Sequence, residues 1–357
     1  MIWVRQARGL ALAAGVAALA LGGPALAQTE GERLMTQAME QAKSDPVGAL
    51  ATMRRAAATG DPEAINALGV FRIQGVGAPA DTAEGLKLWE EAADKGAKGA
   101  RVNLGRLWLA DPDPRNDAKA FGYAEPLLED PKVRSAVLYP AGRALIFGFG
   151  TPRDLNRGMA LLVEAEAHEE DNADLLFLLA RGYQAGWGGL TVDPARSTAY
   201  FRRAAVMGDE RAQWYYGMAL LNGQGTLVNA REAWRWVKAS ADQGYIFGMN
   251  SAGVMLAIGQ GVAEDDAQAR VWYEKAARAG STHGMGSLAM MLMTGEGGAV
   301  DEVTGQAYLE LAMEAGGDRP KAMLSRFGIT PTPEQRKRID RIKADWKRTA
   351  RPLNPES

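Results

Sequence analysis

A pair of glycines, two positions apart, returns along this chain at a nearly fixed interval and limits how it can fold. The pairs are Gly75/Gly77, Gly148/Gly150, Gly186/Gly188, Gly223/Gly225, Gly259/Gly261 and Gly295/Gly297. Each lies six and eight positions after a small anchor residue. The anchors are Gly69, Gly105, Gly142, Ala180, Gly217, Gly253 and Ala289, spaced 36, 37, 38, 37, 36 and 36 apart. Chance does not produce such a register, and a period of this size is the mark of a repeat array. Length alone, 357 residues, would otherwise suggest two or three globular domains.

A helix-capping residue follows twelve or thirteen positions after six anchors: Asp81, Asp154, Asp193, Asn229, Asp265 and Asp301. A carboxylate or amide oxygen there satisfies the free amide hydrogens of a new helix. Glu84, Glu232 and Gln268 lie three residues further on and predict capping boxes, and Pro194 fits the first helical position after Asp193. Each unit therefore reads as helix, Gly-x-Gly turn, helix. The second helix is predicted to bring a bulky residue (Trp89, Phe201, Trp236, Tyr273, Leu309) and then small ones (Ala92/Ala93, Ala204/Ala205, Ala239, Ala276/Ala277) to its neighbours. Gly96, Gly208, Gly244, Gly280 and Gly316 stand where a left-handed residue ends a helix.

The second unit departs from this pattern, since Asp111-Pro112-Asp113-Pro114 replaces its glycine turn and predicts a bent or widened joint. Upstream, Gly31 to Lys43 and then Met53, Ala56, Ala57 and Gly60 match a partial unit. Downstream, Thr332-Pro333-Glu334-Gln335 reads as a cap, and Ile339, Ile342 and Trp346 form an apolar stripe on a closing helix.

The amino end reads as an address. Arg5 and Arg8 precede an apolar run from Leu10 to Leu21, shorter than the ~20 residues that span a bilayer. Pro24 and Ala25-Leu26-Ala27 then predict cleavage before Gln28, leaving a chain without a membrane span in the bacterial periplasm or outside the cell; an uncleaved anchor helix is the alternative. The balance of 41 basic and 43 acidic residues argues against a general nucleic-acid binder. The absence of cysteine removes disulfides, thiolate zinc sites, a cysteine nucleophile and a lipid anchor, and two histidines do not make a His-rich metal centre. No cofactor is expected.

The succession Ala-x-x-x-Leu-Gly, Gly-x-Gly, Asp, Trp and Ala-Ala-x-x-Gly, cleanest from Ala64 to Gly99, resembles the Sel-one-like repeat, a relative of the tetratricopeptide repeat. The resemblance implies an all-α fold, a right-handed superhelical solenoid of helix-turn-helix repeats. Together with the residues at the two ends, the chain divides into a signal peptide (1–27), N-terminal capping helices or a partial repeat (28–63), about seven repeats (64–318) and a C-terminal capping helix with tail (319–357). The resemblance also implies an adaptor whose first helices line a concave binding face.

By the same resemblance the facing positions lie three before and one after each anchor. The minus-three series is Asn66, Val102, Tyr139, Phe177, Trp214, Asn250 and Gly286; the plus-one series is Val70, Arg106, Arg143, Arg181, Met218, Val254 and Met290. Arg106, Tyr139, Arg143, Phe177, Arg181, Trp214 and Met218 are the candidate partner-binding residues, because guanidinium groups bind carboxylates and aromatic rings anchor interfaces. The alternative is that these arginines are solvated and these rings are core.

Other signals carry less. The Gly-x-Gly pairs lack the preceding strand of a dinucleotide loop. Met285, Met290, Met291 and Met293 read as core filling rather than a peptide-binding surface. His168 and His283 are isolated. The last helix is basic, as suits a solvated cap, with contact to an anionic surface the alternative. The favoured function is a non-enzymatic scaffold or regulator holding a protein or peptide. The alternatives are a cell-wall-directed enzyme and a small-ligand sensor. A cysteine-rich branch of the family is associated with penicillin binding and β-lactamase activity, and this cysteine-free chain departs from it. The chain also lacks Ser-x-x-Lys, Gly-x-Ser-x-Gly and His-Glu-x-x-His sequences.

Overall fold

Six turns with both glycines left-handed set the architecture. In the computed structural model Gly75, Gly77, Gly148, Gly150, Gly186, Gly188, Gly223, Gly225, Gly259, Gly261, Gly295 and Gly297 all have φ between 62° and 83°, a region closed to most side chains. The first glycine ends a helix; the Gly75 and Gly148 amides donate to the Phe71 and Ala144 carbonyls at 3.0 and 2.8 Å. The turn then closes on itself. The amide of each capping residue donates back to a carbonyl near the end of the first helix: Asp81 to Arg72, Asp154 to Leu145, Asn229 to Leu220, Asp265 to Leu256 and Asp301 to Leu292, at 2.8–3.0 Å.

The structure describes residues 29–109, 114–168, 172–316 and 330–350, with 322 and 324. The expected signal peptide and the joint at 111–113 lie outside them. Among the described residues are seventeen α-helices and no strand. They fall in two units, residues 1–168 and 169–357. The first holds α1 (Glu30–Gln41), α2 (Pro46–Ala58), α3 (Pro62–Gln74), α4 (Thr82–Asp94), α5 (Lys98–Leu109), α6 (Pro114–Ala124), α7 (Leu138–Phe147) and α8 (Leu155–Ala165). The second holds α9 (Ala173–Ala185), α10 (Pro194–Val206), α11 (Glu210–Asn222), α12 (Ala230–Asp242), α13 (Ile246–Ala257), α14 (Asp266–Arg278), α15 (Thr282–Thr294), α16 (Glu302–Glu314) and α17 (Pro333–Thr349). Within each unit successive helices pack in chain order, the arrangement of an α/α solenoid. No helix among the described residues is long and apolar enough to cross a membrane.

Both ends of the second helices behave as their sequences require. Asp81, Asp154, Asp193, Asn229, Asp265 and Asp301 each accept from the backbone amide three residues on. At the other end, Gly96 donates to the Ala93 carbonyl while Ala97 donates to that of Ala92, and the same pair of hydrogen bonds recurs at Gly208, Gly244 and Gly280. The predicted capping boxes do not form. Glu84 instead takes Arg72 Nε at 2.5 Å, and Glu232 accepts from Asn229 Nδ2 at 3.0 Å, because a partner in the opposing helix or at the cap competes for the carboxylate. The boxes that do form are Thr29 with Glu32 and Thr332 with Gln335.

The anchors are helix crossings. A Cβ on Gly69 would lie 2.6 Å from the Trp89 ring, on Gly142 2.8 Å from Leu162, on Gly217 2.8 Å from Val237 and on Gly253 2.6 Å from Tyr273. Twenty residues past the anchor is therefore the position that covers it. This corrects the register expected in α12, where Val237 and not Trp236 lies over the anchor, with Ser240 and Ala241 buried in place of Ala239. Trp236 packs edge-on against Tyr216 instead.

The second glycine of the turn binds one repeat to the next. A Cβ on Gly77, Gly225, Gly261 or Gly297 would sit 2.0–2.2 Å from the carbonyl oxygen of Pro46, Pro194, Ala230 or Asp266. Each of those is the first residue of the preceding second helix. In one turn the intervening Gln224 carbonyl also accepts from Thr198 Oγ1 at 2.7 Å.

α17 closes the second unit by burying Ile339 and donating the Trp346 indole N–H to the Ala277 carbonyl at 3.1 Å. Its basic side chains are largely spent on α16 and its cap. Arg336 and Lys343 meet Glu310 at 2.8 and 2.9 Å, Lys343 and Lys347 meet Glu314 at 2.6 and 2.7 Å, and Arg338 meets Asp301 at 2.8 Å. Burial raises the Glu310 and Asp301 carboxyls, but the bonds from Lys343 and Arg336, and from Thr304 and Arg338, outweigh it and hold both below the ordinary range. Glu314 lies low chiefly through its bonds to Lys343 and Lys347.

Two outcomes follow from these contacts. Gly225→Ala combines a left-handed backbone with a collision against Pro194 and should cost about 3 kcal/mol or more. Gly208→Ala, whose Cβ would meet nothing within 4 Å, should cost about 1 kcal/mol; urea unfolding separates the two. Depressed carboxylates stabilise the docked helix fully above the unfolded range, about pH 5, and progressively less as pH falls through their lowered values. The Trp346 indole N–H resonance should accordingly move to its undocked position between pH 5 and acid, and Glu310→Gln should loosen α17 already at neutral pH.

Candidate functional site

In the first unit, Arg106 on α5 and Tyr139 and Arg143 on α7 are each half-buried and engaged by a neighbouring group. In the second unit, Arg181 on α9 and Trp214 and Met218 on α11 are also half-buried.

Phe177, on α9, does not line an open surface. Its ring is 9% exposed, packed at 5.8 Å from Phe201 and 5.6 Å from Tyr215, and covered by the Arg211 guanidinium at 4.2 Å. The aromatic at this position is core because the covering residue Phe201 of α10 reaches it from below. Val102, at the corresponding place on α5, is buried too.

From Phe177 a continuous run of ring contacts crosses α9, α11 and α13. Phe201 stacks on Tyr215 at 4.7 Å; Tyr215 meets Trp214 edge-on at 4.8 Å; Trp214 lies 5.4 Å from Phe247, which lies 5.5 Å from Tyr245. The Trp214 indole donates to Ser251 Oγ at 2.8 Å, which fixes the ring across the α11–α13 seam. Beyond it α13 carries Phe247 and Val254, exposed by 39% and 44%, and Ile258 just past its end is exposed by 61%. Phe247 and Val254 fall on one helical face with Ser251 between them. Val254 was legible as a plus-one position. Phe247 lies one turn before the minus-three position, and extending that face by a turn would have found it.

Two arginines on this part of the unit differ in their surroundings. Arg211 pairs with Asp174 and Asp209, both at 2.6 Å; burial works against its charge, but the two carboxylates outweigh burial and raise its pKa. Among the described residues Arg181 has rings beside it and no carboxylate partner: its guanidinium lies 4.9 Å from the Tyr215 centroid and 5.6 Å from that of Trp187, and burial lowers its pKa. Its Nε is buried without a hydrogen-bond partner. Beside both arginines, burial pushes the Tyr245 phenol up to about 12, against the pull of Arg211 and Arg181.

The remaining sequence signals resolve simply. Met285, Met291 and Met293 are buried and Met290 half-buried, and His168 and His283 are exposed. Tyr215, Tyr245 and Trp187 carried no signal, since each lies off the two positions that the periodicity marks.

A stack of paired helices whose first helices present rings, apolar side chains and arginines defines a repeat scaffold of the α/α solenoid class. The Sel1 repeat matches residues 62–96, 140–167, 173–209, 210–245, 246–281 and 283–317, more than half of the chain, so the protein belongs to the Sel1 repeat family. Sel1 repeats are generally a protein-interaction fold. The crystal structure of a Sel1 repeat protein from Oxalobacter formigenes is similar over 91% of this chain and 90% of that one, with a TM-score of 0.57 and 21% identity. The crystal structure of c5321, a protective antigen present in uropathogenic Escherichia coli strains and displaying an SLR fold, covers 90% of this chain and 84% of its own, with a TM-score of 0.44 and 17% identity. No curated protein matches the sequence.

The burial contrast has a direct consequence. Phe177→Ala should lower stability by about 3 kcal/mol through the cavity it leaves, whereas Phe247→Ala should cost about 1 kcal/mol or less. Chemical unfolding of the two variants measures the difference.

Proposed function

We propose that this protein is a non-enzymatic periplasmic scaffold or regulator that holds a protein or an extended peptide against the first helices of its repeats. The observation that carries the reading is the face formed by α11 and α13. Trp214, Phe247 and Val254 share it, two of them more than a third exposed and the indole locked to Ser251. Apolar and aromatic groups held rigid in a partly open surface are the usual anchors of an interface. The repeat family supports the interaction role. The same reading assigns Arg106, Tyr139 and Arg143 of the first unit, and Arg181, Trp214 and Met218 of the second, to partner contact. Phe177 supports them from the core.

The compartment rests on the amino-terminal sequence: Arg5 and Arg8, the apolar run from Leu10 to Leu21, Pro24 and the Ala25-Leu26-Ala27 site. Export would release a chain beginning at Gln28.

A photo-crosslinking residue at Val254, introduced into the protein in its own cells, tests the whole reading. The expected result is a discrete adduct in the periplasmic fraction, on a chain whose mass corresponds to residues 28–357, that is lost in Trp214→Ala while the variant stays folded. An adduct insensitive to Trp214→Ala would remove this face as the partner site. Recovery of the uncleaved chain in the cytoplasm would remove the compartment.

A further inference from the structure

Two half-buried arginines lie beside the ring contacts of the second unit, and one is neutralised while the other is not. Arg211 has two carboxylates at 2.6 Å. Arg181, one first helix earlier, has no ion pair and no hydrogen-bond partner among the described residues; Tyr215 and Trp187 lie against its guanidinium. A desolvated cation without a counter-charge costs free energy in the unbound protein, and a bound anion offsets that cost. Aromatic neighbours exclude water from such a contact and hold the planar fork in one orientation, the arrangement that favours carboxylate recognition.

The surroundings define the rest of the ligand. From α9, the ring contacts lead over Trp214 on α11 to Phe247 on α13; Met218 and Val254 lie on the same two helices, and all four side chains are apolar. Neighbouring helices pack about 8–10 Å apart and an extended chain advances roughly 3.4 Å per residue, so one helix-to-helix step takes about three residues. We infer that Arg181 receives the side-chain carboxylate of an aspartate or glutamate within an extended peptide, whose apolar residues about three and six positions away seat on Trp214/Met218 and on Phe247/Val254. This inference rests on the peptide-binding reading above and adds to it the charge and the spacing of the ligand.

Selection of a displayed library of random twelve-residue peptides on the purified exported protein tests it. The parent protein should enrich peptides with one internal acidic residue and apolar residues about three and six positions from it. A synthetic peptide of that class should bind at least about tenfold more tightly than its asparagine or glutamine counterpart. Arg181→Gln should abolish that preference and keep the apolar one, and Arg181→Lys should retain part of it. The Tm of Arg181→Gln should equal or exceed that of the parent, because an unpaired cation has been removed; a fall in Tm would make Arg181 structural and overturn the inference. Apolar peptides selected without an acid, an acid preference that survives in Arg181→Gln, or dependence on the peptide's terminal carboxylate would overturn the inference and leave the peptide-binding reading standing. Failure to select any peptide would overturn both.

Discussion

The contact on which each stack depends is the approach of a glycine to a carbonyl. The second glycine of a turn lies so close to the first carbonyl of the preceding second helix that a methyl group would overlap it, at Gly77, Gly225, Gly261 and Gly297 alike. The distance in sequence is the same in all four, thirty-one residues. The position is held by the left-handed backbone on one side and by a neighbouring helix start on the other. A side chain there would push successive pairs apart and expose the seam that buries Leu68, Phe71, Ala92 and their equivalents. The turn is thus both the link within one repeat and the spacer between two.

The same economy of small residues operates at the crossings inside each pair. Gly69 meets Gly85 and Gly142 meets Gly158 through backbone oxygens about 3 Å from a would-be Cβ, while a bulky side chain from the second helix covers the gap. Interiors packed this closely leave the first helices little freedom to rotate. Side chains on their outer faces are therefore held in place before any partner arrives, which reduces the ordering cost of binding. The ring sequence from Phe177 to Phe247, with Trp214 bonded to Ser251, is the most extended example.

Charge is distributed unevenly over this frame. α17 spends Arg336, Arg338, Lys343 and Lys347 on acidic groups of α16 and its cap, so a helix that reads as strongly basic is mostly a helix that is docked. Arg211 is likewise neutralised. Arg181 stands apart from all of these, which is why it is the informative cation of the second unit.

Period, turns and both caps of the second helices are legible in the order of the amino acids. These are local matters: a glycine with positive φ, an aspartate accepting from the amide three residues on, and a glycine after the last helical turn act within a few bonds of themselves. It also named Arg181, Trp214 and Val254 by their place in the period. What it did not determine was what stands opposite each side chain. Glu84 turned to Arg72 rather than to its own cap, Val237 took the place expected of Trp236, and Phe177 became core under Arg211. Those outcomes, and with them the lack of a counter-charge at Arg181 among the described residues, come from the packing of one helix on another, because burial and ion pairing depend on groups brought together from twelve to more than thirty residues apart, where the repeat period alone specifies a position but not its neighbour.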